Sequence, residues 1–364
     1  MIPRIMDDSQ PIYRLVEDTA CLGYLPETVS CIVHEARNGE YTATMVVPYN
    51  ARHIDLLHEG GIIKLKANET SKSLQLFRIN GMSKSLSGNN VTLSCEHISY
   101  DLKKVAVLPF TATGINNVLT EMHRHIAGGT PFIIDTDIDN TTSVVKTTIP
   151  VNYRELLGGM EGSILDIFSG PGGYCEFEFD NLTTHVYRHR GTDNGVVIAY
   201  GKNLIDVTHD VDMSTVYSHI IGYCTRSEGN AVCSKLTYVT PAEIPATLIV
   251  DLTDKLNEGE TPTVSRVNAL VADYVNNNDI TAPQITITVS MQALRNTDQY
   301  EAFKELETVA LCDYVTLKVA SMGINTLVEV IELDYDVLNE EVSGVTLGNY
   351  MKSLATTIAN IGRK

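Results

Sequence analysis

His185 and His189 lie four residues apart in a predicted strand, with Tyr187 between them, so both imidazoles fall on one face. Two imidazoles can begin a metal site. A metal also needs a third ligand and a second shell, and neither is signalled here, so a polar strand face is expected. His123 and His125 stand at the end of a predicted helix and point to different sides; contact with the negative end of the helix dipole accounts for both. Asp135, Asp137, Asp139 and Asn140 imitate the opening of a calcium loop. The sixth and twelfth places hold Asn140 and Lys146 instead of the glycine and glutamate such a loop requires, so an acidic surface turn is expected.

Cys175 could serve as a thiol nucleophile beside His185 or His189. It alternates with Phe177 and Phe179, however, and so should face a core, where a thiol is inert. Glu176, Glu178 and Asp180 form an acid row on the other face of that strand. Paired carboxylates can hydrolyse sugars at a suitable spacing, but a wet strand face is the simpler expectation. The chain has no H-E-x-x-H, no P-loop, no G-x-S-x-G and no C-x-x-C pair. On these grounds no residue is assigned as catalytic, cofactor-binding or metal-ligating, and no cofactor is expected.

Cys175, the acid row, His185 and His189 lie in the stretch from Leu156 to Asp210, around which the chain is organised. Leu157, Ile164, Leu165 and Phe168 suit a small buried helical face, and Gly170 to Gly173 stop it. Tyr174 to Phe179 alternates as a strand, Asp180-Asn181 turns, and Thr183 to His189 returns beside it. Gly191 to Gly195 makes the next loop. Val196 to Tyr200 is another strand and Gly201-Lys202-Asn203 another turn.

The runs GSILDIF, EFEFDN, RGTDNG and YGKNL, in this order and spacing, resemble phage minor tail proteins, also described as prophage tail endopeptidases or tail-associated lysins. Those are similar to the baseplate hub proteins of contractile-tailed phages. Two further patches agree: CEHISYDL (Cys95 to Leu102) after Phe77 to Ile79, and LCDYVTL (Leu311 to Leu317) followed by Tyr335 to Asn349. The resemblance implies an α+β, mainly β chain with two tail-tube-like β-barrel domains and an α+β insert. It further implies a homotrimeric ring with tail tube, distal tail and tape-measure proteins as partners.

Taken in order, residues 1–102 read as the first barrel. Cys31 to His34 and Tyr41 to Val47 alternate around Asn38-Gly39, a strong hairpin signal, and Ile62 to Lys66, Leu74 to Ile79 and Val91 to Ser94 follow as short strands. Residues 103–180 read as the α+β insert. Its helix is predicted over Thr113 to Ile126, with Thr113 as N-cap, and its strands over Phe132 to Ile134 and Val144 to Ile149. Residues 181–348 are expected to form the second barrel. Val216 to Cys224 and Lys235 to Val239 are candidate strands, and a helix is expected from Pro262 to Asn276 with Thr261 as N-cap. Gln284 to Met291, Tyr314 to Val319, Thr326 to Tyr335 and Val342 to Leu347 are strands, with a turn at Met322-Gly323. Short helices are expected over Asp298 to Glu307 and Asn349 to Ile361; residues 349–364 form the terminal element.

A chain of 364 residues exceeds one typical core. No apolar run approaches the roughly 18 residues of a spanning helix, and the N-terminus lacks the apolar centre of an export signal. The seven cysteines form no paired motif and are expected as reduced core thiols. A net charge of -18 argues against surface binding of nucleic acid, which needs Lys and Arg clusters. In a tail hub the same charge would let DNA slide through a channel. The function that the resemblance implies is structural: a tail-tip or baseplate hub in the virion, assembled in the bacterial cytoplasm. A peptidoglycan endopeptidase is the first alternative. A wall-binding adhesin is the second, and a chain without Trp offers few stacking surfaces for sugar.

Overall fold

Alternating apolar residues build most of the first third of the chain into strands. The computed structural model describes residues 1–71, 73–160, 162–169, 175–199, 203–214, 216–225, 229–240, 246–256, 259–278, 280–281, 284–291 and 308–348. Its opening elements are β1 (Arg4–Met6), α1 (Ile12–Val16), β2 (Cys21–Tyr24), β3 (Ser30–Ala36), β4 (Tyr41–Pro48), β5 (Ile62–Leu65), β6 (Gln75–Ser85) and β7 (Asn90–His97). On β3 and β4 the expected alternation holds: Cys31, Val33, Tyr41, Ala43, Met45 and Val47 are buried. Asn38 closes their hairpin at φ 55°, a left-handed conformation that Asn tolerates.

A mixed stretch of short strands and helices follows. It comprises β8 (Ala106–Val107), β9 (Thr111–Thr113), α2 (Ile115–Arg124), β10 (Ile133–Thr136), β11 (Val144–Lys146), β12 (Val151–Asn152), α3 (Tyr153–Gly158), α4 (Ile164–Phe168), β13 (Glu176–Asp180) and β14 (Thr183–Tyr187). Ile115, Val118, Leu119 and Met122 of α2 join Tyr153, Leu156, Ile164 and Phe177 in one core cluster, together with Leu15 of α1, Ile62 of β5 and Leu76 of β6. Thr113 does not cap α2. It is the last residue of β9, paired with Val144, and Gly114 takes the N-cap place at φ 78°. Strand pairing claims Thr113, and glycine makes the sharp reversal that follows.

The β13–β14 turn is fastened to β6 by side chains. Asn181, at φ 51° and 4% exposed, accepts from the Leu76 amide (2.9 Å) and donates to the Leu74 carbonyl (3.0 Å). Asp180 Oδ1 accepts from Ser73 Oγ and Gln75 Nε2, both at 2.7 Å. Gln75 in turn meets the buried His97 Nε2 at 3.1 Å. A polar turn can be buried here because each group has a partner.

The chain then forms β15 (Asp193–Ala199) and β16 (Leu204–Asp212). Next come β17 (His219–Thr225), β18 (Ala231–Cys233), β19 (Thr237–Tyr238), β20 (Thr247–Asp251) and α5 (Val264–Asn277). The last strands are β21 (Gln284–Met291), β22 (Tyr314–Val319), β23 (Ile324–Asp336) and β24 (Glu341–Gly348). The chain divides into two compact units, the first from Met1–Thr208 and Thr288–Gly348, the second from His209–Ile287.

Among the described residues, one 13-stranded sheet runs in the order β16-β21-β24-β23-β3-β4-β7-β6-β5-β1-β2, with β22 also beside β23 and β15 beside β22. The length of β23 makes this possible. Its first half pairs with β22 (Val319↔Ile324 to Tyr314↔Glu329), and its second half pairs with β3 (Glu332↔Ala36 to Asp336↔Ile32). Strands from the two ends of the sequence thus share one hydrogen-bonded ladder.

The second unit has its own core. Within it, β17 pairs with β18 and β19 on antiparallel registers and with β20 in parallel. Helix α5 packs Val267, Leu270 and Val271 against Ile220, Cys224 and Leu252. Gly222 permits this approach: a Cβ there would lie 2.4 Å from Val271 Cγ2. The N-cap is Thr263, whose Oγ1 accepts from the Arg266 amide, rather than Thr261. The helix starts two residues later than expected because Thr263 can make that bond. The strand expected over Lys235 to Val239 shortens to β19. The helices expected at Asp298 to Glu307 and Asn349 to Ile361 lie outside the described residues, as do Gly170 to Tyr174 and Gly201-Lys202.

Candidate functional site

The hairpin between β3 and β4 carries Glu35, Arg37 and Asn38, and these three side chains meet Arg190, β23 and β13 respectively. Asn38 Nδ2 donates to the Cys175 carbonyl and its Oδ1 accepts from the Phe177 amide, both at 2.8 Å. The side chain therefore completes the backbone bonding of β13 on the side away from β14. Arg37 donates its amide to the Ile331 carbonyl (2.8 Å), and its Nη1 lies 2.9 Å from Glu329 Oε1 on β23.

Glu176, the first residue of β13, sits in the same place. Its carboxylate accepts from the Arg190 amide (2.6 Å) and lies 3.2 Å from His189 Nδ1. One donor atom from each of Glu176, His189 and Glu329 falls within 4.8 Å of the others. Both carboxylates belong to residues only 1% exposed. The Arg190 guanidinium reaches Glu35 (2.7 Å) and Glu178 (3.5 Å). Burial works against the Arg190 charge, and Glu35 and Glu178 more than offset it, so the guanidinium stays protonated above its usual range. For Glu329, burial pushes the carboxyl up to about 7; Arg37 opposes the shift and the facing Glu176 adds to it.

The loop that delivers His189 and Arg190 is fixed by its neighbours. Gly191 passes so close to Cys312 that a Cβ there would sit 2.0 Å from the Cys312 carbonyl oxygen. Asp313 Oδ1 accepts from the Thr192 amide (2.8 Å), its Oδ2 accepts from the Ala310 amide (2.9 Å), and the Tyr314 amide donates to the Thr192 carbonyl (3.0 Å). The runs RGTDNG and LCDYVTL, more than a hundred residues apart, are two halves of this one joint.

The residues singled out in the sequence fall as follows. His185 and His189 are not brought together as a pair. His185 Nδ1 lies 2.5 Å from Asp135 Oδ1, whereas His189 comes after β14 has ended and turns toward Glu176. The strand alternation that would align them stops at Tyr187. His125 Nδ1 meets the Glu121 carbonyl at the end of α2, and His123 is exposed. Asp135 and Asp137 stand in or beside β10, which pairs in parallel with β14; Asp137 accepts from the Arg188 amide, and Asn140 accepts from the Thr142 and Ser143 amides. That is a strand and an Asx turn rather than a cation loop. Cys175 is buried, and burial raises its thiol to about 12. The acid row is not a wet face at its start: Glu176 is buried, while Glu178 faces Arg190 and Asp180 holds Ser73 and Gln75. Sequence reasoning did not assign Glu35, Arg37 or Glu329, for none lies in a recognisable motif.

Residues 192–358 match the family model described as prophage endopeptidase tail, which is less than half of the chain. The resemblance carried by the motifs is to this same family. The fold is similar to a prophage tail protein, gp18, from Listeria monocytogenes EGD-e, at TM-score 0.58 and 14% identity over 100% of this chain and 99% of that one. It is similar to a tail protein from Neisseria meningitidis MC58, at TM-score 0.57 and 8% identity over 96% and 97% of the two chains. It is also similar to the 43 kDa tail protein of prophage MuSo2 from Shewanella oneidensis, at TM-score 0.59 and 10% identity over 95% and 98%. No curated protein sequence matches the chain. At these identities the likeness is one of fold: a mainly β tail-protein architecture.

Proposed function

We propose that this chain is a structural subunit of a phage or prophage tail tip. It would be a baseplate-hub-like protein that closes into a ring on the end of the tail tube and leaves a passage for DNA. The observation that carries this reading is the end-to-end likeness of fold to three tail proteins, two of them from prophages, each covered over at least 97% of its length. The continuous ladder through β3 and β23 supports it further. That ladder joins strands from the N-terminal and C-terminal parts of the chain in one sheet. A ring of three such chains offers six tube-like domains to a sixfold tube, and cyclic closure lets modest contacts hold it. The net charge of -18 suits a wall past which DNA slides. Tail tube, distal tail and tape-measure proteins would be its partners in the virion, with assembly in the host cytoplasm.

The test is the mass of the chain in solution by light scattering over a concentration series, repeated in the presence of purified tail tubes. A mass of three chains, with a central hole in negative-stain images, is expected. A chain that stays monomeric alone and leaves tube ends unoccupied overturns the reading.

The family description favours a second reading, a tail-associated peptidoglycan endopeptidase. The buried cluster does not serve it as an active site, since Glu176 and Glu329 are each 1% exposed and a polymeric wall cannot reach them. Release of wall peptides by the purified chain would favour the enzyme over the hub.

A further inference from the structure

The joint around Glu176 gathers four carboxyl groups, two guanidiniums and one imidazole. Glu35 and Glu178 face the Arg190 guanidinium, Glu329 faces that of Arg37, and Glu176 faces the His189 imidazole and the Arg190 amide. The donors already present are spent on the outer oxygens: Arg37 on Glu329 Oε1 and the Arg190 amide on Glu176 Oε2. The remaining oxygens, Glu176 Oε1 and Glu329 Oε2, are buried and accept no hydrogen bond. A buried carboxylate oxygen left without a donor is costly, and two in one place call for a positive species between them.

We propose that Glu176, His189 and Glu329 form a binding site for one divalent transition-metal ion of the Zn2+ class. One imidazole and two carboxylates are a ligand set that suits this class. In a tetrahedral site, ligand bonds of about 2.0–2.2 Å place neighbouring ligands about 3.3–3.6 Å apart. The donor atoms here lie within 4.8 Å of one another, so the set must contract by up to about 1.2–1.5 Å, which rotation of the three side chains would supply. Arg37 and the Arg190 amide then act as a second shell that orients the two carboxylates. The ion would clamp β13 and the loop after β14 to β23. A proton shared by the two carboxylates is the competing way to satisfy them.

The experiment uses the full chain carrying Cys233→Ser, which removes its exposed thiol. The protein is stripped with a chelator and dialysed at neutral pH against Zn2+, or Co2+ as a coloured probe, and bound metal is counted. One equivalent is expected, with visible Co2+ absorption and a raised thermal midpoint. Glu176→Gln and Glu329→Gln, which keep side-chain volume, should each weaken binding at least about 10–100-fold, whereas Glu178→Gln should retain the full equivalent. Urea unfolding checks that each variant is folded. A folded parent that retains no metal overturns the proposal and leaves the shared proton. Undiminished binding in the folded Gln variants overturns it as well, by placing the metal elsewhere.

Discussion

Replacing Asn38 separates two contributions that one residue makes. Asn38→Gly keeps a backbone that tolerates φ 55° but deletes both bonds to β13, leaving the Phe177 amide and the Cys175 carbonyl without that partner. Losing partners of partly buried backbone groups costs about 1–3 kcal/mol. Asn38→Ala loses the same bonds and adds about 1–2 kcal/mol for placing a Cβ in the left-handed region. The expected order of stability is therefore wild type, then Gly, then Ala. In urea, with a slope of about 3 kcal/mol per molar, the Gly variant should unfold at a midpoint lower by roughly 0.3–1 M. Hydrogen exchange should report the loss locally, as faster exchange of the Phe177 amide. The reasoning fails if Gly matches wild type to within about 0.5 kcal/mol, or if Ala is more stable than Gly.

Gly191→Ala should destabilise the first unit by about 3 kcal/mol or more, since its Cβ would lie 2.0 Å from the Cys312 carbonyl oxygen and the two backbones must part; an unchanged urea midpoint would refute that close approach. His34 is held above its ordinary 6.5 by its hydrogen bond to Asp334, so the stability from this pair is full below pH 6.5 and is lost as pH rises through the raised value. The difference in urea midpoint between wild type and His34→Gln should thus shrink as pH rises from 6 to 9, and a difference that grows would reverse the assignment. His97 has the opposite sign: burial keeps it neutral, so its contribution is present above pH 6.5 and falls away as pH drops toward its depressed value. Thiol labelling of the native chain should mark Cys233 first, while Cys31, Cys95, Cys175, Cys224 and Cys312 react only on unfolding; fast labelling of Cys175 would contradict its burial.

Local signals in the sequence carried through where the physics is local. The turns at Asn38-Gly39, Asp180-Asn181 and Met322-Gly323 are present because a left-handed residue must sit there, and Asn38, Asn181 and Gly323 do. Period-two patterning located β3, β4, β13, β21, β22 and β24 for the same reason. What the pattern cannot specify is the covering of a face. Glu176 does point away from its neighbour Phe177, but that second face is closed by the β3–β4 hairpin and β23, brought in from opposite ends of the sequence. A carboxylate that reads as solvated is therefore buried. Glu329 and Arg37 carry no motif, and only the pairing of β23 with β3 makes them neighbours. The caps at Thr113 and Thr261 failed differently: several residues of suitable type stood nearby, and strand pairing or a better bond chose among them.

The β3–β23 ladder also sets an order of events in folding. Ile32 is paired with Asp336, so the edge of β3 remains open during synthesis until some three hundred further residues have emerged. Through that interval β3 and β4 form a ready hairpin with one unprotected side, the kind of edge that recruits other strands. Closing so long a loop is slow compared with forming the hairpin, because the loop entropy comes before the contacts that offset it. Nascent chains should therefore be most prone to misassociate just before β23 is available. A chaperone that shields β3 would raise the yield of folded protein without altering its final stability.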